Sequence, residues 1–472
     1  MSIQSILERG NKGLSNLRNI IFILFLGSAT AGLVAQTVKI VHSFDGTDGE
    51  FPSYVVLTQG RDGRMYGTTR LGGASNMGTI FKQRTTGNVN VVLHAFSGSD
   101  GGVPYHGLTL ARDGNYYGAT NSGGDQSMGT VFKITAGGVI TVLHSFTGAD
   151  DGAFPIAQPI EALDGNLYGT TLGSSSQAAT VYKLASSGNL TPFYTLTQDD
   201  GYGIFAPLLQ GLDGSIYVVA DLGGVFGCGS ILKLSKDGVL KNKHTFNCRS
   251  GGAIPNDLVQ TADGTIYGTT QAGGEFGGGT IFKLDSKGVV TLLYSFGANL
   301  TDGLNPNGGL TPGTDGNFYS STENGGANGA GSLFKFTTGG VYTQLYSFPK
   351  VKGSTQAPVA APTQHTSGLF YGVAAGGGLN GLGSIYTLDM GLGPFITFVR
   401  PQGKVGATAQ ILGTALTGAT SVTFNGIKAD TFKVVSDTYM TATVPSGATT
   451  GKVVVTTPGG SLTSNLDFRI SK

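Results

Sequence analysis

Between residue 37 and residue 389 the apolar positions come in short bursts rather than long runs. One unit shows the pattern. In "HGLTLARDGNYYGATNSGGDQSMGTVFKITAGGVITVLHSF", beginning at His106, four apolar stretches alternate with turns. "HGLTLARDG" ends in an Asp-Gly turn, and "NYYGAT", "GTVFKIT" and "GVITVLHSF" follow. Each stretch is short, rich in β-branched and aromatic residues, and bounded by Gly, Asp or Asn, which predicts strands. Apolar positions at helical spacing are missing from the whole region.

The unit repeats. "DGRMYGTT" from Asp62 returns as "DGNYYGAT", "DGNLYGTT", "DGSIYVVA", "DGTIYGTT", "DGNFYSST" and "SGLFYGVA". The anchoring tyrosines are Tyr66, Tyr117, Tyr168, Tyr217, Tyr267, Tyr319 and Tyr371. A period of about fifty residues with four strands per unit predicts the blades of a β-propeller. The last unit has only three strands, "PVAAPTQ", "LFYGVAA" and "GSIYTLD", while "VKIVHSF" from Val38 is a fourth strand with no unit before it. Residues 37–44 are therefore expected to complete the last blade and remove its free edge. The predicted fold is all-β: a seven-bladed β-propeller over residues 37–390, closed by an N-terminal strand. The Asp-Gly pair makes the first turn, and the Tyr packs between blades, with small residues after it for close approach.

From Pro394 the repeat stops. Short apolar strands now alternate with Gly, Asn-Gly and Pro-Ser-Gly turns as far as "SNLDFRI". This predicts an immunoglobulin-like β-sandwich over residues 393–470.

Before the repeats, Arg9, Lys12 and Arg18 precede the apolar run Ile20 to Ala35, and small residues follow. That order predicts a signal peptide in residues 1–35, with an uncleaved membrane anchor as the alternative. The chain is expected to be secreted or held at the cell surface, with the periplasm also open. In an exported protein the two cysteines, Cys228 and Cys248, are expected to pair. They flank the predicted hairpin around "KDG" at Lys236–Gly238, and counting outward from that turn sets them nearly opposite each other.

Composition narrows the function. The chain has 472 residues, 80 of them Gly, 12% charged residues and a net charge of +1. No basic stripe offers attraction to nucleic acid or to an anionic membrane surface. His42, His94, His144 and His244 share one fourth-strand position with Tyr294 and Tyr346, which reads as packing with a polar tip. His106 and His365 stand apart, in or beside first strands, where they could face the channel. Acidic turns such as "DGTDG" and "GADDG" fall short of a calcium loop and lose their acids in later units. The Gly-Gly loops join strand to strand and lack a helix N-terminus for phosphate. The repeated Lys82, Lys133, Lys183, Lys233, Lys283 and Lys335 are expected to lay their stems over the sheets, with the ammonium near a turn Asp or a carbonyl. No catalytic, cofactor or metal residue is assigned. Paired carboxylates for glycoside hydrolysis cannot be assembled from the sequence.

The repeat resembles the GloVer-type tandem repeats of bacterial surface and exported proteins. The phrase "DGxxYGTT", the following "GG…GTIFK" and the "LHSF…DG…P" connection carry the likeness. The third unit departs from it with "LGSSSQAATVYK", and the seventh with Ser367 in place of Asp. The C-terminal stretch resembles an IPT/TIG domain, in "GTALTGATSVTFNG" and "ATVPSGATTGKVVVTTPGG". The repeat resemblance implies no established activity, and the IPT/TIG resemblance implies a spacer or binding module; the expectation is a non-enzymatic exported protein that binds extracellular carbohydrate or protein. The alternative is a polysaccharide-active enzyme with its site at the channel mouth. The long, varied loops between blades and between second and third strands fall on one face, which is where a ligand is expected.

Overall fold

The computed structural model describes residues 36–471, except residues 86, 88, 174–177, 186, 250 and 300. The expected export segment, residues 1–35, and the Ser-rich part of the third unit's departing loop lie outside the described residues.

Each unit folds into a four-stranded antiparallel sheet in simple meander order. Sheet 2 is representative: Thr109–Leu110, Tyr116–Thr120, Thr130–Ile134 and Ile140–Ser145 pair in sequence. Seven such sheets occur among the described residues up to residue 389, numbered 1 to 7 in chain order of their second strands, Met65–Thr69, Tyr116–Thr120, Leu167–Thr170, Ile216–Ala220, Ile266–Ala272, Phe318–Thr322 and Phe370–Ala374. Sheet 7 takes three strands from the last unit and its fourth from the start of the repeats. Thr37–Ser43 pairs antiparallel with Ser384–Asp389, from Thr37 opposite Asp389 to Ser43 opposite Ser384.

The Asp-Gly phrase does more than turn the chain. In sheet 2, Asp113 accepts the backbone N–H of Asn115 at 3.0 Å and the Tyr117 hydroxyl at 2.8 Å. Asp62 with Tyr66, Asp164 with Tyr168 and Asp315 with Tyr319 repeat the hydroxyl contact. The Tyr thus packs its ring and anchors its tip to its own turn, satisfying a partly buried hydroxyl. The residue after it is small for a reason other than backbone approach. A Cβ on Gly118 would stand 2.5 Å from the Phe132 ring of the third strand. The missing side chain makes room for that ring.

That ring is half of the contact between sheets. At the end of the outer strand in six of the seven sheets a Phe meets the third-strand aromatic of the next sheet, mostly edge to face. Phe96 meets Phe132 at 5.3 Å, Phe246 meets Phe282 at 5.4 Å, and Phe296 meets Phe334 at 5.4 Å. Phe44, at the end of the N-terminal strand, meets Phe81 of sheet 1 at 5.3 Å. Sheet 7 therefore touches sheet 1 as each sheet touches its successor. Side-chain hydrogen bonds repeat this order. Thr269 donates to the Gly308 carbonyl at 3.0 Å, and Thr363 donates to the Leu57 carbonyl at 2.7 Å. Leu212 donates its N–H to Gln260, and Thr366 donates its own to Gln59.

Beyond residue 395 two further four-stranded sheets enclose one apolar core. One is Thr397–Phe398, Thr408–Leu412, Tyr439–Thr443 and Phe432–Ser436; the other contains Ser421–Phe424 and Val453–Thr457. Ile411, Val422, Met440, Val453 and Val455 fill the space between them. This pair of sheets sits on the Asp-Gly turns of the repeats. Gln410 accepts from Arg61 and donates to the Arg112 carbonyl, both at 2.9 Å. The Arg61 guanidinium lies 4.7 Å over the Tyr439 ring, and Thr438 donates to the Arg61 carbonyl.

Candidate functional site

The sheet-to-sheet connections do not cross smoothly. In six of the seven the residue before a Pro has positive φ: Phe51, Val103, Phe154, Ile254, Asn305 and Ala357, all between 52° and 58°. In the fourth sheet's connection Gly203 holds the place, at 72°. Left-handed backbone is costly for Val and Ile. Hydrogen bonds to the preceding sheet compensate. Val103 donates its N–H to the Met77 carbonyl at 2.7 Å, and Phe51 donates to Leu382 at 2.8 Å. The Pro then packs on a Gly of that sheet. A Cβ on Gly129 would lie 2.7 Å from Pro155, and one on Gly383 would lie 2.6 Å from Pro52. The kink turns the next residues inward, toward the centre of the sheets.

Several of these inward residues and two residues at second-strand ends line a cavity of about 200 Å³. Tyr54, His106, Phe205, Asn256, Asp257 and Asn307 come from the connections, and Asp221 and Gln271 from strand ends. Second strands run away from the Asp-Gly turns, so the cavity lies at the opposite end from the C-terminal sheets. It opens among the long, varied loops.

Tyr54 and His106 stack at 5.9 Å with their planes 15° apart. His106 is only 5% exposed, and neither ring nitrogen makes a well-formed hydrogen bond. Burial lowers its affinity for protons to a pKa of about 4, with the nearby Gln158 side chain and Phe205 backbone acting in the other direction. Asp221 is 7% exposed, and its Oδ1 has no partner. Burial, and then the charge of Asp257, hold its carboxyl well above the usual range. Burial raises Asp257 to about 7. Glu323, at the end of the second strand of sheet 6, is raised by burial and accepts a hydrogen bond from Asn307. None of these three acids forms an ion pair with Lys or Arg among the described residues. Arg70 is turned aside onto the Tyr105 ring, 4.5 Å from its centre. No group of three or more His, Cys, Asp or Glu among the described residues is placed to hold a metal ion.

The other candidates fall elsewhere. His365 bonds the Gly63 carbonyl at 3.1 Å and Ser367 at 2.8 Å, on the Asp-Gly side. The fourth-strand His and Tyr clasp acids of the next connection: His94 to Asp100 at 2.7 Å, His144 to Asp151 at 3.0 Å, Tyr194 to Asp200 at 2.8 Å and Tyr294 to Asp302 at 3.0 Å. Either side chain donates one proton at the same place, which is why they interchange. Lys183 and Lys233 pair with Asp164 and Asp213, and Lys82 donates to the Ala136 carbonyl. Sheet 4 runs into a connection without acids, "NCRSGG". There the structure joins Cys248 to Cys228, with Cα atoms 5.3 Å apart. The Cys228 carbonyl accepts the N–H of Ile254, so the bond braces the connection that carries Asn256 and Asp257 to the cavity.

Comparison with known proteins follows this geometry. The Gloeobacter/Verrucomicrobia repeat matches residues 28–172 and 111–313, more than half of the chain. The protein belongs to that repeat family. Among curated proteins none matches. The extracellular domain assigned to a hybrid two-component system of B. thetaiotaomicron is similar in fold, with TM-score 0.51 and 12% identity, over 93% of this chain and 59% of that one. A second such domain from the same organism gives TM-score 0.49 and 13% identity, over 89% and 52%. A gluconolactonase of Xanthomonas campestris gives TM-score 0.37 and 14% identity, over 64% and 90%. The repeat protein thus spans just over half the length of the two extracellular domains.

The raised acids give a pH signature. An acid with a raised folded pKa lowers stability as pH climbs from its unfolded value, and the loss is complete above the folded value. For Asp257 the window runs from 3.8 to about 7. His106 acts oppositely, costing stability as pH falls from 6.5 to about 4. Asp257→Asn should leave stability unchanged near pH 4 and raise it by about 1–3 kcal/mol near pH 8. Urea unfolding at the two pH values checks this; equal effects at both would contradict the raised carboxyl of Asp257.

Proposed function

We propose that the protein is an exported, non-enzymatic binding protein. In this reading residues 1–35 direct export, the seven sheets form a closed seven-bladed β-propeller, and residues 393–470 form an immunoglobulin-like module of IPT/TIG type. The ligand enters by the loop-rich face and places one compact group in the cavity between Tyr54, His106, Asp221 and Asp257. That group is a single unit of an extracellular carbohydrate or a terminus or side chain of a protein. The observation that carries the reading is the cavity itself: two nearly buried polar side chains line it with unpartnered atoms, on the face that the C-terminal sheets leave open. A cavity of this size holds about one ring. Export also favours the oxidised Cys228–Cys248 pair.

The raised carboxyls of Asp221 and Asp257 support a second reading, an extracellular polysaccharide-active enzyme using one of them as general acid. One experiment separates the two. The mature protein, recovered unreduced from the exported fraction, is screened against a glycan array and a surface-peptide array, and against soluble polysaccharides for cleavage. Binding without turnover is expected, weakened about tenfold or more by Tyr54→Ala, with both cysteines protected from alkylation. Cleavage would replace the binding reading with the enzymatic one. Binding insensitive to Tyr54→Ala would move the site elsewhere, and freely alkylated cysteines would remove the bridge.

A further inference from the structure

Resting on the cavity reading above, the geometry points to a ligand that carries a protonated amine, with the ammonium received by Asp221 and Asp257 and its compact carbon frame lying against Tyr54 and Phe205. Two carboxyl groups face one small cavity, and no Lys or Arg pairs with either among the described residues. A buried carboxylate has to be neutralised by protonation or by a cation. The Arg70 guanidinium lies over the Tyr105 ring, and Arg70 does not line the cavity. His106 cannot supply the charge either, because its burial favours the neutral ring. Its unpartnered nitrogens suit a neutral role, accepting one ammonium proton or meeting a hydroxyl of the ligand. A metal ion is a poorer match, since no suitable group of three ligands is gathered among the described residues.

The walls argue for an organic cation rather than a bare one. Tyr54 and Phe205 lie with ring centres 6.4 Å apart, and Ala206, Leu222 and Ile254 complete an apolar side. Aromatic faces attract organic cations, and the apolar side buries the attached carbons. Asn256, Asn307 and Gln271 add polar groups to the lining that can meet ligand hydroxyls. Amino sugars and compact aryl or alkyl amines share the required chemistry.

The test is calorimetric titration of the full mature protein near pH 7 with four probes: benzylammonium, benzyl alcohol, glucosamine and glucose. At least one ammonium probe is expected to bind about tenfold or more tightly than its neutral counterpart, as a charged hydrogen bond warrants. Preference in the benzyl pair alone assigns an aryl or alkyl amine, and preference in the sugar pair assigns an amino sugar. Asp257→Asn should remove the preference while leaving the neutral probe unaffected. Asp221→Asn serves as a second isosteric variant, and each is checked for an unchanged fold by circular dichroism. Neutral probes that bind as well as the ammonium probes, in a manner lost with Tyr54→Ala, would overturn the amine and leave the cavity reading standing. A charge preference that survives in both Asn variants would overturn the amine site. No binding by any probe would overturn it as well, and the array screen then judges the cavity separately.

Discussion

One contact recurs around the repeats and holds them together: a Phe at the end of an outer strand, set on the aromatic ring of the next sheet's third strand. A four-stranded sheet of this size cannot bury its faces alone, so each depends on its neighbours. The Gly after the phrase Tyr leaves the space the third-strand ring occupies, since a Cβ on Gly118 would stand only 2.5 Å from the Phe132 ring. The phrase, the ring and the Phe are thus three parts of one joint. The joint between Phe44 and Phe81 brings the first and last sheets into the same relation. In the third sheet Leu196 takes the place of the Phe and packs in a cluster with Leu232, keeping the joint aliphatic.

With the scaffold made of constant residues, the variable ones are free to differ. Two positions per unit vary, and some units send one of them into the cavity. One follows the phrase directly and reads Arg70, Asn121, Leu172, Asp221, Gln271, Glu323 and Ala375. The other lies two residues beyond the connection's Pro and includes Tyr54, His106 and Asp257. The strained residue before each Pro delivers this second set, and its left-handed φ is held by a hydrogen bond from the sheet before. The acid clasps of the outer strands, and the cysteine bridge where the acids run out, fix the same connections. The C-terminal sheets cover the opposite face and leave this one open.

Much of the fold was legible. Short apolar bursts between Gly and Asp turns gave the strands, and the divided last unit gave the pairing of the Thr37–Ser43 strand. The interchange of His and Tyr at the outer strand was legible as a polar tip, though its Asp partner was not. The cavity was largely missed. Attention to what the repeats share hides the positions at which they differ, and the residue after "YGTT" carries no motif of its own. His106 was singled out as a residue that could face the channel. Its companions Asp221 and Asp257 lie on different sheets and connections, and no local pattern encodes their meeting.

The Phe joint between the first and last sheets is the condition for everything else, the cavity included. Urea unfolding of Phe44→Ala beside the parent tests it most directly. Removing a fully buried Phe from a joint that closes the sheets should cost about 3–5 kcal/mol, within a single transition that carries all the sheets down together. A loss of unfolding free energy below about 0.5 kcal/mol, the size expected of an exposed substitution, would contradict the account.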